Sequence, residues 1–384
     1  MNEALRKSLV KEFGAHILVT PEEYEKEGYP TGSRNFDAIL GEQLGLPGGR
    51  IVEIYGREQS GKTTLALHTI AKAQYKGKTC GLVDLEKFDP KYATRIGVDV
   101  KKLIIARPKA SSEVLEVALH MLKNGCDLVV VDSVAALSSK KEMSKGIGED
   151  TVAIVARELG KMTRQSLDPL FEAGNLLVFI NQIRDKLSTT GMSGTTTPGG
   201  NALRGFASVR IEARRMLPIY QFTEKVKDEL LDETTTTVVK RKSNDNKLIN
   251  KPQIGQGTLL TVKKNKVSPP FRKVEIDIIF GQGIDQDSDT YDLAIQYKVL
   301  EQLSGGVVKY INRETGEVLC QAKNKYDMID LLITKDLWSK VEEEVDIAWN
   351  QRGIFQLSFE TDTPSPEDLS EPSLESPTTP APSV

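Results

Sequence analysis

Eight consecutive residues, Gly56-Arg57-Glu58-Gln59-Ser60-Gly61-Lys62-Thr63, have the G-x-x-x-x-G-K-T spacing that holds the phosphates of a nucleoside triphosphate. The glycines let backbone N–H groups turn toward the phosphates, and a helix opening near Lys62 aims its positive end at them. Lys62 is expected at the β- and γ-phosphates and the Thr63 hydroxyl on Mg2+, with Thr64 completing the loop. The motif is informative only between a strand and a helix. Ile51–Tyr55 reads as the strand, and Ala66, Ile70 and Ala73 recur at helical spacing in a helix running to about Tyr75.

A metal beside Thr63 needs a carboxylate. Asp132 ends the apolar strand Leu128–Val131, at the strand tip where α/β sites lie, and is the candidate. Hydrolysis also needs a group that orients water. Asp84 and Glu86 follow the strand Gly81–Val83; Glu86 is the candidate, though on the spacing alone a solvated loop acid is an equal reading. Asn181-Gln182 ends the strand Leu176–Ile180 and runs into the Gly/Ser/Thr-rich stretch 183–200, so an amide touching the γ-phosphate is attached to a loop able to order and disorder.

These groups sit on an α/β frame. Strands are predicted at 80–83, 103–105, 128–131, 176–180, 209–213, 259–263 and 274–280, and helices at 112–123 and 151–172. The alternation predicts a mostly parallel sheet covered on both faces. A helix over residues 2–13 carries Leu5, Leu9 and Phe13 on one side and is too short to stand alone, so it must dock on its own core or on a neighbouring subunit. Residues 1–28 form this helix and a linker, 29–286 the ATPase core, and 287–353 a small α+β unit with helices at Tyr291–Leu303 and Asp336–Trp349 and a hairpin at Gly305-Gly306. Residues 222–258 interrupt the core as an insertion or long hairpin, and 354–384 read as an acidic Pro/Ser-rich disordered tail.

The 384 residues, 39% hydrophobic and 27% charged, describe an ordinary soluble chain. No apolar run is long enough for a membrane span and no secretory signal is evident, which places the chain in the cytoplasm. Three scattered cysteines and three histidines give no metal-ligand spacing. A net charge of −3 neither favours nor excludes nucleic acid, because binding follows local basic surface.

Six stretches in order, RIVEIYGREQSGKTTL, VDLEKFDPKYATRIGVD, LVVVDSVAAL, FINQIRDKL, PGGNALRGFASVRIEARR and VKKNKVSPPF, resemble the RecA recombinases over about residues 30–286. The resemblance implies an ATP- and Mg2+-dependent filament on single-stranded DNA that pairs homologous duplex and exchanges strands, with single-strand-binding and mediator proteins as further partners. By position, Glu86 looks like the water-activating carboxylate, Asp89 and Tyr92 like the adenine contacts, and Gln182 like the γ-phosphate sensor. Lys264 and Lys266 look like the pair that reaches ATP across the subunit interface. For DNA it points to Val152, Arg157, Arg164, Arg184, Leu187, Gly199, Gly200 and Asn201: arginines on phosphates and apolar wedges between bases, which carry no base code. The chain departs from the family at Arg57, Gly191 and Gly205 and in the length of 222–258. Two other readings are a regulatory paralogue without strand exchange and a helicase-type motor. Glu86, Gln182, Lys264 and Lys266 argue against the first, and the KKNK and GGN segments against the second.

Overall fold

A computed structural model describes residues 3–41, 43–137, 150–186, 194–227, 234–248 and 250–352. Its centre is a ten-stranded sheet. Six strands run parallel: β3 (Arg50–Gly56), β4 (Cys80–Asp84), β5 (Ile104–Ala106), β6 (Leu128–Asp132), β7 (Leu176–Gln182) and the first part of β10 (Val209–Lys227). β11 (Thr234–Lys242), β12 (Gln253–Asn265), β13 (Lys273–Ile279) and β14 (Gly283–Ile284) extend it antiparallel, in the order β14-β13-β12-β10-β3-β7-β6-β4-β5. Two short pairs lie outside it, β1 (Gly28–Tyr29) with β2 (Leu46–Pro47) and β8 (Arg184–Lys186) with β9 (Gly194–Thr196), as does a three-stranded C-terminal sheet described below.

The parallel strands are apolar throughout because both faces are covered. Val52, Ile54, Val130, Val178 and Ile180 point to one face, against helix α3 (Lys62–Tyr75). Ile51, Val129, Val131, Leu177 and Phe179 point to the other, with α5 (Ser111–Lys123) and α6 (Asp150–Ala173). The register aligns the strand tips: Gly56 opposes Gln182, and Asp132 opposes both Asp84 and Ile180. Gly56, Asp132 and Gln182 therefore meet at one edge.

Helix α1 (Glu3–Phe13) buries none of its residues, and Leu5 and Phe13 are more than half exposed, so the described residues leave most of the apolar side open. Helix α2 (Arg34–Leu40) is by contrast buried from Asn35 to Leu40 and begins on a Ser33 cap. A second apolar cluster lies C-terminal, built from α8 (Gln286–Gln296), the antiparallel strands β15 (Leu300–Gln302), β16 (Val308–Ile311) and β17 (Val318–Ala322), α9 (Lys325–Thr334) and α10 (Trp338–Arg352). The helix expected over Tyr291–Leu303 is corrected here: it stops at Gln296, and Leu300–Gln302 is a strand. Lys298 takes a left-handed φ of 58°, and its N–H and that of Val299 close on the last helical carbonyls of Ile295 and Ala294. The tail 354–384, and residues 146–149 of a first DNA loop that the resemblance places over Gly146–Val152, lie outside the described residues.

One buried histidine fixes the P-loop helix. His68 Nε2 accepts the Ile284 N–H at 2.8 Å, and burial, helped by Lys72, pushes its pKa down to about 4. The unfolded chain then takes up a proton near pH 6.5 that the folded chain refuses, so stability is full above that pH and is lost as pH falls toward 4. The loss at pH 4 to 5 is about 2 kcal/mol. His68→Gln, which keeps an acceptor for Ile284, should flatten that acid limb in thermal melts between pH 7 and pH 5; an unchanged limb would assign it elsewhere.

Candidate nucleotide and DNA site

The P-loop turns tightly because two glycines admit what no side chain could. At Gly61, φ is 85° and a Cβ would meet Ile278 Cδ1 at 2.4 Å; at Gly56 a Cβ would meet the Ala213 carbonyl at 2.1 Å. The loop and the first turn of α3 line a cavity of about 660 Å³ with Glu58, Gln59, Ser60, Gly61, Lys62, Thr63 and Thr64, large enough for a nucleotide. Gly56 and Arg57 shape the loop from behind and do not line the cavity.

Lys62 is buried, and its ammonium donates to the Arg57 carbonyl at 2.7 Å. Burial lowers its pKa, partly offset by Asp132, Glu86 and Glu58. A cation held against a neutral carbonyl is poised to exchange it for phosphate oxygens. The Thr63 hydroxyl donates to Asp132 Oδ2 at 2.8 Å. Asp132 Oδ1 is buried without a partner, and burial pushes the carboxyl up to about 6. A hydroxyl, a carboxylate and an orphaned carboxylate oxygen facing a phosphate cradle fit Mg2+, which takes one or two protein oxygens and completes its shell with phosphate and water. Among the described residues no cluster of three or more His, Cys, Asp or Glu offers a different metal site.

Glu86, from β4's end, and Gln182, from β7's end, come together. Glu86 Oε1 accepts from the Ser133 hydroxyl and, at 3.3 Å, from Gln182 Nε2. Asn181 lies behind them, fully buried. Its Nδ2 donates to Glu53 Oε1 at 2.8 Å and to the Pro198 carbonyl at 2.9 Å, and its Oδ1 accepts the Gln182 N–H. Glu53 in turn pairs with Arg210 at 2.6 Å. The backbone of Gln182 is thus tied through one buried asparagine to Pro198, near the end of the stretch 183–200.

Tyr92 lines the cavity and shares a 2.8 Å hydrogen bond with Thr64. Asp89 does not line it: its carboxylate caps α4 (Pro90–Ile96), accepting the Lys91 N–H. Asp84 is buried against Arg107 at 3.6 Å and accepts the Phe88 N–H, a structural position; of these two carboxylates it is Glu86 that lines the cavity. Sequence reasoning missed Ser133 as the group gripping Glu86, and missed Arg215, Gln253, Gln256, Ile278, Phe280 and Gly281, which supply the cavity's far wall. Only Ser133 carried a signal, its adjacency to Asp132. The others arrive on antiparallel strands whose pairing is non-local.

Lys264 and Lys266 are not in the cavity. Thr258, on β12, touches the P-loop, its Oγ1 lying 3.3 Å from where a Gly61 Cβ would be. Lys264 lies six residues further along the same strand, roughly 20 Å at 3.4 Å per extended residue. There its ammonium donates to the carbonyls of Arg204 and Gly205, both at 2.9 Å, at the end of helix α7 (Gly200–Phe206). Burial, with Lys266 and Arg210 nearby, pushes it down to about 8, so an anion would be welcome at this edge. Nothing stands within 4 Å of a Cβ at Gly205.

The DNA candidates that are described gather beside the ends of β6 and β7. Arg157 and Arg164 are exposed on α6, and Arg164 lies over the Phe206 ring at 5.9 Å. Arg184 is exposed and donates to the Ala135 carbonyl at 3.5 Å. Gly199 precedes α7, whose first residues are Gly200 and Asn201. Val152 lies on α6, but its side chain, like Leu187 as a whole, is outside the described residues. No helix among the described residues is long and apolar enough to cross a membrane.

Comparisons with known proteins agree with this geometry. A family model described as the RecA N-terminal domain matches residues 1–249. The protein RecA of Rhodospirillum centenum is 39% identical over 319 residues, 83% of this chain and 80% of its own length. That of Helicobacter hepaticus is 36% identical over 353 residues, 88% of this chain and 94% of its own. A crystal structure of the RadB recombinase, 20% identical with a TM-score of 0.45, covers 67% of this chain and 98% of that one; nothing further rests on so distant a likeness.

Proposed function

The chain belongs to the RecA family and is a RecA-type recombinase, and from that premise we propose that it hydrolyses ATP in a filament on single-stranded DNA and couples the cycle to pairing and exchange with homologous duplex. The observation that supports the ATPase step is the meeting of Thr63, Asp132, Glu86 and Gln182 in one cavity with Lys62.

In this reading the backbone N–H groups of residues 58–63 cradle the phosphates, and Lys62 leaves the Arg57 carbonyl for the β- and γ-phosphates. Thr63 and Asp132 would hold Mg2+, whose charge would offset that developing on the phosphates. Glu86 orients the attacking water and takes its proton. Gln182 gives up Glu86 for the γ-phosphate, and because Asn181 links it to Pro198, nucleotide state is passed to the second loop and the DNA beside Arg184. Tyr92 and Phe280 are the aromatic groups in the cavity available to a base. Lys264 and Lys266, roughly 20 Å of strand away, cannot reach their own nucleotide and serve the next copy's. The uncovered apolar side of α1 supplies a surface on which copies dock.

A strand-exchange assay with ATP and with a non-hydrolysable analogue tests the reading. Joint molecules with both nucleotides and complete exchange with ATP are expected; DNA binding without joint molecules would make the chain a mediator. The tail gives a second expectation. It holds six acids and no Lys or Arg after Arg352, so truncation there should tighten duplex binding, most at low salt. A salt titration with superimposable affinities would remove the tail from the account.

A further inference from the structure

β10 does not stop where the parallel sheet stops. It pairs with β3 up to Ala213–Gly56, passes the cavity at Arg215, and keeps β12 as a partner as far as Tyr220–Gln253. Beyond that point, among the described residues, its strand partner is β11 alone, in unbroken register from Phe222–Val239 to Lys227–Thr234. Six residues of extended chain carry this ribbon about 20 Å past the sheet. It leaves from the same end of the parallel strands at which Thr63, Glu86, Asp132 and Gln182 line the cavity.

The root of the ribbon is fixed. Ile219 is fully buried in the C-terminal apolar cluster. Lys242 pairs with Glu275 at 2.6 Å and with Asp277 at 2.5 Å. Asp277 is itself buried and also accepts from the hydroxyls of Ser288 at 2.7 Å and Tyr326 at 3.0 Å, with Lys325 beside it. The ribbon therefore has a set direction, while a two-stranded ribbon in water is marginal by itself and offers unpaired N–H and C=O groups along both edges.

We propose that this ribbon is an arm that seats on the neighbouring copy of the chain, across the face that bears the nucleotide. The inference rests on the reading that Lys264 and Lys266 serve the next copy's site. If they do, the neighbour's far sheet edge lies over the cavity, and an arm rising from the cavity's rim meets that same neighbour. Such a contact is head-to-tail and repeats along a filament without closing. Nucleic acid fits the arm's root less well, because its cations are already placed: Arg241 and Lys251 lie over the Phe222 ring at 5.9 and 5.5 Å, and Lys240 over Tyr326 at 5.9 Å.

The test shortens the arm in the full chain, replacing residues 223–238 by a two-residue Asn-Gly turn between the paired Phe222 and Val239. Binding of a fluorescent ATP analogue and of an oligonucleotide too short for two copies should be unchanged. On long poly-dT, cooperativity should fall by about tenfold or more and filaments should dissociate at lower salt, as loss of one subunit contact requires. Unchanged cooperativity overturns the arm, and so does an equal loss on the short oligonucleotide, which would assign the ribbon to DNA. Hydrogen exchange on the intact chain tests the same claim without a variant: amides of Phe222–Lys227 and Thr234–Val239 should gain protection on assembly with poly-dT and a non-hydrolysable analogue, and no gain overturns it. Lys264→Ala separates the two levels. If it abolishes DNA-stimulated turnover while the shortened arm changes nothing, the arm alone is wrong; if it is neutral, the reading beneath falls first.

Discussion

Lys264→Ala should bind ATP as the parent chain does and lose at least about 100-fold of its DNA-stimulated hydrolysis, as removal of a cation that meets transition-state charge does elsewhere. The lysine is on the strand that touches the P-loop, yet six residues down it and held there by the Arg204 and Gly205 carbonyls. Its own nucleotide is out of reach of a side chain about 6 Å long when extended. A role in hydrolysis therefore requires another copy, and the loss should appear only where DNA assembles copies. DNA-independent turnover should be untouched. A variant with a normal DNA-stimulated rate would show that the pocket is complete within one chain.

Glu86→Gln should leave nucleotide and DNA binding intact and lower turnover by about 10²–10⁴-fold, the usual span for losing a positioned base. The substitution keeps shape, and the amide oxygen can still accept from Ser133 and Gln182, so the strand ends stay in place. What it removes is the negative charge and the proton acceptor. Filaments of this variant should persist in ATP as the parent's do in a non-hydrolysable analogue. Single-turnover hydrolysis within threefold of the parent would assign the water to another group. Asp84 is a poor substitute, being buried against Arg107.

The nucleotide edge was legible because its signals are local. The P-loop lies between β3 and α3 in consecutive residues, and Asp132 and Gln182 close strands whose apolar character is continuous. The C-terminal wall of the cavity was not. Gln256, Ile278 and Phe280 reach it through antiparallel pairing of β12 and β13, and no spacing in the chain announces that pairing. The length of β10 was hidden too, since Pro218 interrupts its pattern and the register shifts there. The end of α8 was misread because Lys298, not a glycine, adopts the left-handed turn. Asp89 sits in the expected segment, where its carboxylate caps α4 through the Lys91 N–H.

The claim that matters most is that each site is finished by the next copy, and mixing two inactive chains measures it. Glu86→Gln carries intact lysines and Lys264→Ala an intact pocket. If the lysines act across the interface, co-assembly at equal amounts on poly-dT places an intact pocket against intact lysines at about a quarter of random head-to-tail interfaces. DNA-stimulated hydrolysis should then recover to about that fraction of the parent's rate for the same reason. A mixture no more active than the sum of its two components would contradict the account.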